Sequence, residues 1–220
     1  ENAQFFLHKN IISARQMKVL PGAGINLDEY PYVPMQDDGV CSFLFVGRIM
    51  KEKGVDEFFS AAKTIKAEFG EKVAFDVVGF YEDAYKETVD HLVADRVINF
   101  HGFQTDVHPF YEAADCVVLP SYHEGMSNVL LEGAAMGRAL ITSDISGCRE
   151  AVEDGVSGYL CPAQDAEALT NFFREFAGKT HIEQEQMGRC GRALIEQKFD
   201  KHIVVAQTID GLILPMTARN

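Results

Sequence analysis

Positive charge is what this chain has least of: 20 lysines and arginines stand against 33 aspartates and glutamates, a net charge of −13 over 220 residues. A nucleic acid would meet repulsion over most of such a surface, so DNA and RNA are excluded as partners and any anion must be gripped locally. Long hydrophobic runs are missing. None approaches the roughly 18 residues a membrane helix needs, and no basic stretch leading into an apolar one opens the chain as a secretion signal would. Paired cysteines are missing too. The five, Cys41, Cys116, Cys148, Cys161 and Cys190, are odd in number and show no C-x-x-C spacing. Three lie in or beside apolar runs, which predicts free buried thiols in a reducing cytoplasm. No two histidines have metal-ligand spacing, and no two aspartates are separated by one residue. The Asp-x-Asp clamp that would bring a cation to a nucleotide diphosphate is therefore absent, and protein cations must replace magnesium if such a ligand binds.

What is present is apolar substance, 47% of all residues, enough to bury one large core and to exclude disorder. Short apolar runs alternate with segments of helical period. Strands are expected at 17–21, 42–47, 73–79, 97–101, 116–120, 139–143 and 158–161. Helices are expected at 56–69, 83–93, 107–114, 127–137, 147–153 and 165–177, with Asp56 as a helix N-cap and two more helices from Glu183 to about Leu214, divided near Asp200-Lys201. Runs apolar throughout, such as Phe43-Leu44-Phe45-Val46, suit strands covered on both faces. The fold class is thus α/β, a doubly wound, Rossmann-like parallel sheet, whose ligands bind at the carboxyl ends of the strands. No repeat or linker interrupts the pattern, so a single domain is expected: an N-terminal helix and turn over 1–16 packed onto a core over 17–163, then C-terminal helices over 164–220. The chain opens with Glu1 in place of Met, which suggests a piece of a longer protein.

The loop from Gly47 through Arg48 to Lys53 and Gly54 joins a strand to a helix start. Two cations, backbone N–H groups and the helix dipole there make an anion site suited to phosphates; a solvated turn is the equal alternative. It is not a Walker A loop, which would end in Gly-Lys-Ser/Thr where this chain has Gly54-Val55-Asp56. Gly22-Ala23-Gly24 holds two glycines of a dinucleotide fingerprint but lacks the third, and reads better as a tight turn. Gly125-Met126-Ser127-Asn128-Val129 lacks the closing glycine of a nucleophile elbow. His101 and His123, at strand ends, fit edge hydrogen bonding better than base catalysis.

After the run Cys116 to Pro120 the chain leaves through Glu124, Gly125 and Ser127, a helix N-cap candidate, and places Glu132 a turn and a half into the next helix. Two carboxylates at one cleft edge are good acceptors for paired hydroxyls; a solvated loop acid and a dipole-neutral helix acid are the plain alternative. Gly133, Ala134, Ala135 and Gly137 would let that helix sit close to the sheet.

Gly47-Arg48 with Lys53-Gly54, Asp115 to Ser121, Glu124-Gly125 through Leu131-Glu132, Gly147-Cys148-Arg149-Glu150 and Asp154 to Gly158 follow one another in an order that resembles the carboxyl-terminal half of retaining GT-B glycosyltransferases. The resemblance is to family 4 (group 1), marked by two glutamates with seven residues between them, and spans about residues 17 to 163. It implies a nucleotide diphosphate sugar, with uracil as base, as donor, and no metal cofactor. Arg48 and Lys53 would hold the diphosphate and stabilise its growing charge, and Glu124 would meet the transferred sugar. Glu132 would take the ribose hydroxyls, and amides of Gly125, Met126, Ser127, Asn128 and neighbouring Val129 would line sugar and phosphate. Gly47, Gly79, Phe80, Gly102 and Phe103, at strand ends, would frame the nucleotide. A glycan or lipid-linked acceptor in bacterial cell-surface polysaccharide synthesis would sit on an amino-terminal domain outside this chain, leaving the fragment alone inactive. A cytoplasmic location follows, with peripheral contact to the inner membrane face left open for the intact protein. Gly133 and Met126 depart from the usual family residues. A stand-alone nucleotide-binding module, or a GT-B epimerase or phosphorylase, remains as the alternative.

Overall fold

The computed structural model describes residues 2–14, 17, 22 and 24–212. A helix, α1 (Asn2–His8), precedes the sheet elements β1 (Cys41–Val46), α2 (Val55–Phe69), β2 (Val73–Val78), α3 (Lys86–Ala94), β3 (Asn99–Phe100), α4 (His108–Ala113), β4 (Cys116–Leu119), α5 (Asn128–Ala135), β5 (Ala139–Ser143) and β6 (Gly158–Cys161). Three helices follow: α6 (Ala166–Ala177), α7 (His181–Lys198) and α8 (Lys201–Leu212). All strand pairs are parallel, in the order β3-β2-β1-β4-β5-β6. The order reverses between β1 and β4, paired through Phe43 with Cys116 and Leu44 with Val117. The carboxyl ends of these two strands, where the order reverses, are the place where such sheets bind ligands.

The doubly wound α/β sheet expected from the apolar runs is the one observed. Its centre is dry: Phe43, Leu44, Phe45, Val117 and Val118 have no exposed surface. Under α2 and α6 an aromatic cluster fills one face, with Phe43 stacked on Phe75 at 5.1 Å and tilted on Phe173 at 4.7 Å. On the other face α5 lies close because Gly133 has no side chain, since a Cβ there would come 2.6 Å from Val117 Cγ2. Buried Arg138 donates to the carbonyls of Val33, Ala114 and Met136, which ties the segment entering the sheet to its base. Four of the five cysteines are buried and all five are free.

Several boundaries differ from the sequence reading. Asp56 is not the N-cap of α2; Gly54 is, and Asp56 falls in the first turn. Gly54 ends a 3-10 turn over Lys51–Lys53 with φ 70°, a left-handed conformation that a side chain would strain. The helix expected at 147–153 is a 3-10 turn over Arg149–Ala151, because Gly147 and the Glu150 carboxylate close a tight loop through a 2.8 Å hydrogen bond. The strand expected at 97–101 shortens to two residues at the sheet edge. The start of the 83–93 helix is a 3-10 turn, Asp83–Tyr85. The tail divides where expected, with α7 starting at a Thr180–Glu183 capping box, two residues early. Residues 18–21 of the expected first strand lie outside the described residues. Phe5, Phe6 and Ile11, expected to pack onto the core, are 41–57% exposed.

Candidate functional site

The loop after β1 carries Gly47, Arg48 and Lys53, and the loop after β4 carries Glu124 to Ser127. Both leave the sheet at the point where its order reverses, and they are stitched together: the Tyr122 amide donates to the Glu52 carbonyl at 2.8 Å. Gly54 fits beneath this stitch, where a Cβ would overlap the Pro120 carbonyl. Lys53 Nζ consequently meets Glu124 Oε1 at 2.5 Å, with side-chain exposures of 28% and 13%. The buried Ser121 hydroxyl donates to the same oxygen at 2.8 Å. Tyr122 reaches back to Glu57 in the first turn of α2 at 2.9 Å.

Arg48 lies over the Phe80 ring at 5.4 Å. Phe80 and Phe103 are 51% and 66% exposed, with ring centroids 6.5 Å apart. Their backbones are linked at Gly79, whose amide donates to the Gly102 carbonyl at 2.8 Å, while Gly47 donates to Val78 at 2.9 Å. Two exposed aromatic rings and a guanidinium at the carboxyl edge form a surface on which a flat base could stack.

Ser127 is the N-cap of α5, and its Oγ accepts from the Leu130 amide. Its own amide is already committed to the Gly147 carbonyl at 3.0 Å, which removes one of the donors expected to line a ligand. The amides of Gly125, Met126 and Asn128 donate to no backbone carbonyl among the described residues. With the partial positive charge of the helix start they are suited to a phosphate or hydroxyl oxygen. The side chains of Met126 and Val129 instead pack against the core.

Glu132 stands apart from the Lys53–Glu124 pair. Its Oε2 accepts from the hydroxyl of Tyr111 at 2.8 Å, and it faces a hollow of about 330 Å³ shared with Asn26, Tyr30, Asn128 and Lys201. The structure thus brings the predicted residues together in three groups: Lys53 with Glu124, Arg48 with the two phenylalanines, and Asn128 with Glu132. Tyr30, Tyr111 and Asn26 were not anticipated. A fully buried tyrosine demands a hydroxyl partner, which narrows the search to nearby acids, but nothing local says which one. Burial and the Glu132 charge push the Tyr30 hydroxyl up to about 12, so it stays a donor. Among the described residues no group of three or more His, Cys, Asp and Glu side chains could hold a metal, and no helix is long and apolar enough to cross a membrane.

The family model for glycosyl transferases group 1 matches residues 41–177. The capsular polysaccharide biosynthesis glycosyltransferase CapM of Staphylococcus aureus is 28% identical over 73% of this chain and 42% of its own. The glycogen synthase of Mycobacterium tuberculosis is 30% identical over 84% of this chain and 45% of its own. The chain therefore spans less than half the length of these relatives. Among solved structures, the sucrose-phosphate synthase of Thermosynechococcus elongatus superposes with a TM-score of 0.79 at 24% identity, covering 99% of this chain and 57% of that one. Anabaena HepE in complex with UDP gives 0.77 at 20% identity over 95% of this chain and 61% of that one.

Proposed function

The chain belongs to the group 1 glycosyltransferases, and from that premise we propose that it is the donor-binding domain of a retaining family 4 enzyme. In this reading the described residues form that one domain, a nucleotide-binding core followed from Ala166 by the helices α6 to α8. The intact enzyme moves a sugar, a hexose in this reading, from UDP to a glycan or lipid-linked acceptor in cell-surface polysaccharide synthesis. The acceptor site lies on a further domain, and the protein works in the cytoplasm or at the inner membrane face.

The observation that carries this reading is the meeting of Lys53 and Glu124 at 2.5 Å where the sheet order reverses. A cation for a diphosphate and an acid for sugar hydroxyls occupy one crevice from two loops. Lys53 and Arg48 hold the diphosphate and stabilise the charge left on it as the glycosidic bond breaks, so no metal is required. Glu124 accepts from hydroxyls of the transferred sugar, and the amides of Gly125, Met126 and Asn128 complete that end. Glu132 accepts from the ribose hydroxyls. Phe80 and Phe103, set by Gly79 and Gly102, frame the base. HepE, whose fold this chain shares, has been seen holding UDP, which supports UDP as the first nucleotide to try.

Calorimetry with UDP in the presence of EDTA tests the reading. Binding is expected without metal, and Lys53→Ala should weaken it about tenfold to a hundredfold, the loss of one charge-assisted contact. No binding of UDP, or binding that needs magnesium, overturns it.

A further inference from the structure

The Glu132 carboxylate is held from one side by Tyr111, fully buried on α4, which donates to its Oε2 at 2.8 Å. Tyr30, in the turn before the sheet, lines the same hollow as Glu132. That ring is itself fixed, stacked on His108 with centroids 4.6 Å apart. His108 in turn sits with Nε2 3.0 Å from the Glu29 carbonyl and Nδ1 2.7 Å from Asp106. A carboxylate has about four acceptor positions, so the Tyr111 hydroxyl leaves most of its capacity unspent. Glu132 also lines the hollow of about 330 Å³ between the 24–30 turn, the start of α5 and Lys201. Asn26 lines it too, its Oδ1 buried and without a hydrogen-bond partner among the described residues.

We propose that Tyr111 and Tyr30 are positioning residues: a pair of phenols that fixes Glu132 before the donor arrives, so that its remaining lone pairs accept both hydroxyls of the ribose diol. The proposal rests on the reading of Glu132 given above. Satisfying a buried tyrosine would account for Tyr111 alone. It does not account for the Tyr30 ring, stacked on His108 and set beside Glu132 on the same hollow. A free glutamate side chain loses rotamer freedom when it binds, and fixing it in advance removes that cost from the binding step.

The test compares UDP with 2′-deoxyuridine 5′-diphosphate by calorimetry on the chain and its Tyr111→Phe variant, with thermal unfolding measured alongside. The unaltered chain should prefer UDP about tenfold. Tyr111→Phe should reduce the preference to about twofold, with affinity for the deoxy compound nearly unchanged. A merely structural tyrosine would lower the unfolding temperature and leave the ratio alone, and that outcome overturns the proposal. Tyr30→Phe, on the more exposed ring, should lower the same ratio by a smaller step; if Tyr111→Phe does not fold, an unchanged ratio in this variant overturns the proposal equally. Binding of UDP with no preference over the deoxy compound refutes the diol site but spares the donor-binding reading, whereas no UDP binding at all refutes both.

Discussion

Asp115, only 4% exposed at the amino end of β4, accepts from the Ser42 amide at 2.8 Å. Burial raises its pKa to about 6, against an ordinary 3.8, with the Ser42 amide and nearby Arg138 pulling the other way. Folding therefore takes up a proton between those two pH values. The contribution of this group is greatest below about pH 4 and is lost as pH rises through 6, for a total of about 3 kcal/mol at most. Asp115→Asn keeps an acceptor for Ser42 and cannot ionise. Urea midpoints at pH 4, 5, 6 and 7 should fall with pH more steeply for the unaltered chain than for the variant, and parallel curves would refute the assignment. At this scale the sequence was partly legible. Lys53 and Glu124 could each be placed at a strand end from its own loop, but their contact with one another was not anticipated. Tyr111 could not be joined to Glu132, since the 2.8 Å contact depends on how α4 and α5 pack.

Elements with long apolar runs were readable because burial on both faces leaves little choice of residue, and β1, β4 and β5 lie within a residue of their expected bounds. Turns closed by glycines and side-chain hydrogen bonds were not. The 3-10 turn at Arg149–Ala151 has helical residues, yet its Gly147–Glu150 bond closes the loop before a full helix forms. The early start of α2 comes from a left-handed glycine, which also leaves Asp56 and Glu57 to face the positive helix end. Close packing between helices was equally hidden. In α7, a Cβ on Gly188 would overlap the carbonyl of Gly137, just past the end of α5, and approach Met35 Cε at 2.8 Å. Alanine is the better helix former by about 1 kcal/mol, but a clash with backbone cannot be relieved by a rotamer change. Gly188→Ala should therefore destabilise the chain by about 1–3 kcal/mol net. Chemical denaturation measures this, and a stabilised variant would mean that α7 does not seat against Gly137.

For the whole molecule, the decisive fact is extent: the chain covers 42% of CapM and 45% of the mycobacterial glycogen synthase. With the acceptor site proposed to lie elsewhere, the chain should bind UDP yet form no glycosidic product when given a UDP-sugar and candidate acceptors. Product analysis against the longer protein checks this, and transfer by the chain alone would refute the division of labour. The contact between Lys53 and Glu124 has one more consequence for what can enter. The charge of Lys53 is already answered by Glu124, which also accepts from Ser121. In the proposed reading, a phosphate that draws Lys53 away leaves Glu124 with the Ser121 hydroxyl alone, and a sugar that draws Glu124 away leaves Lys53 without its acid. A molecule carrying an anion at one end and hydroxyls at the other would compensate both, so under that reading the pair favours joined cargo.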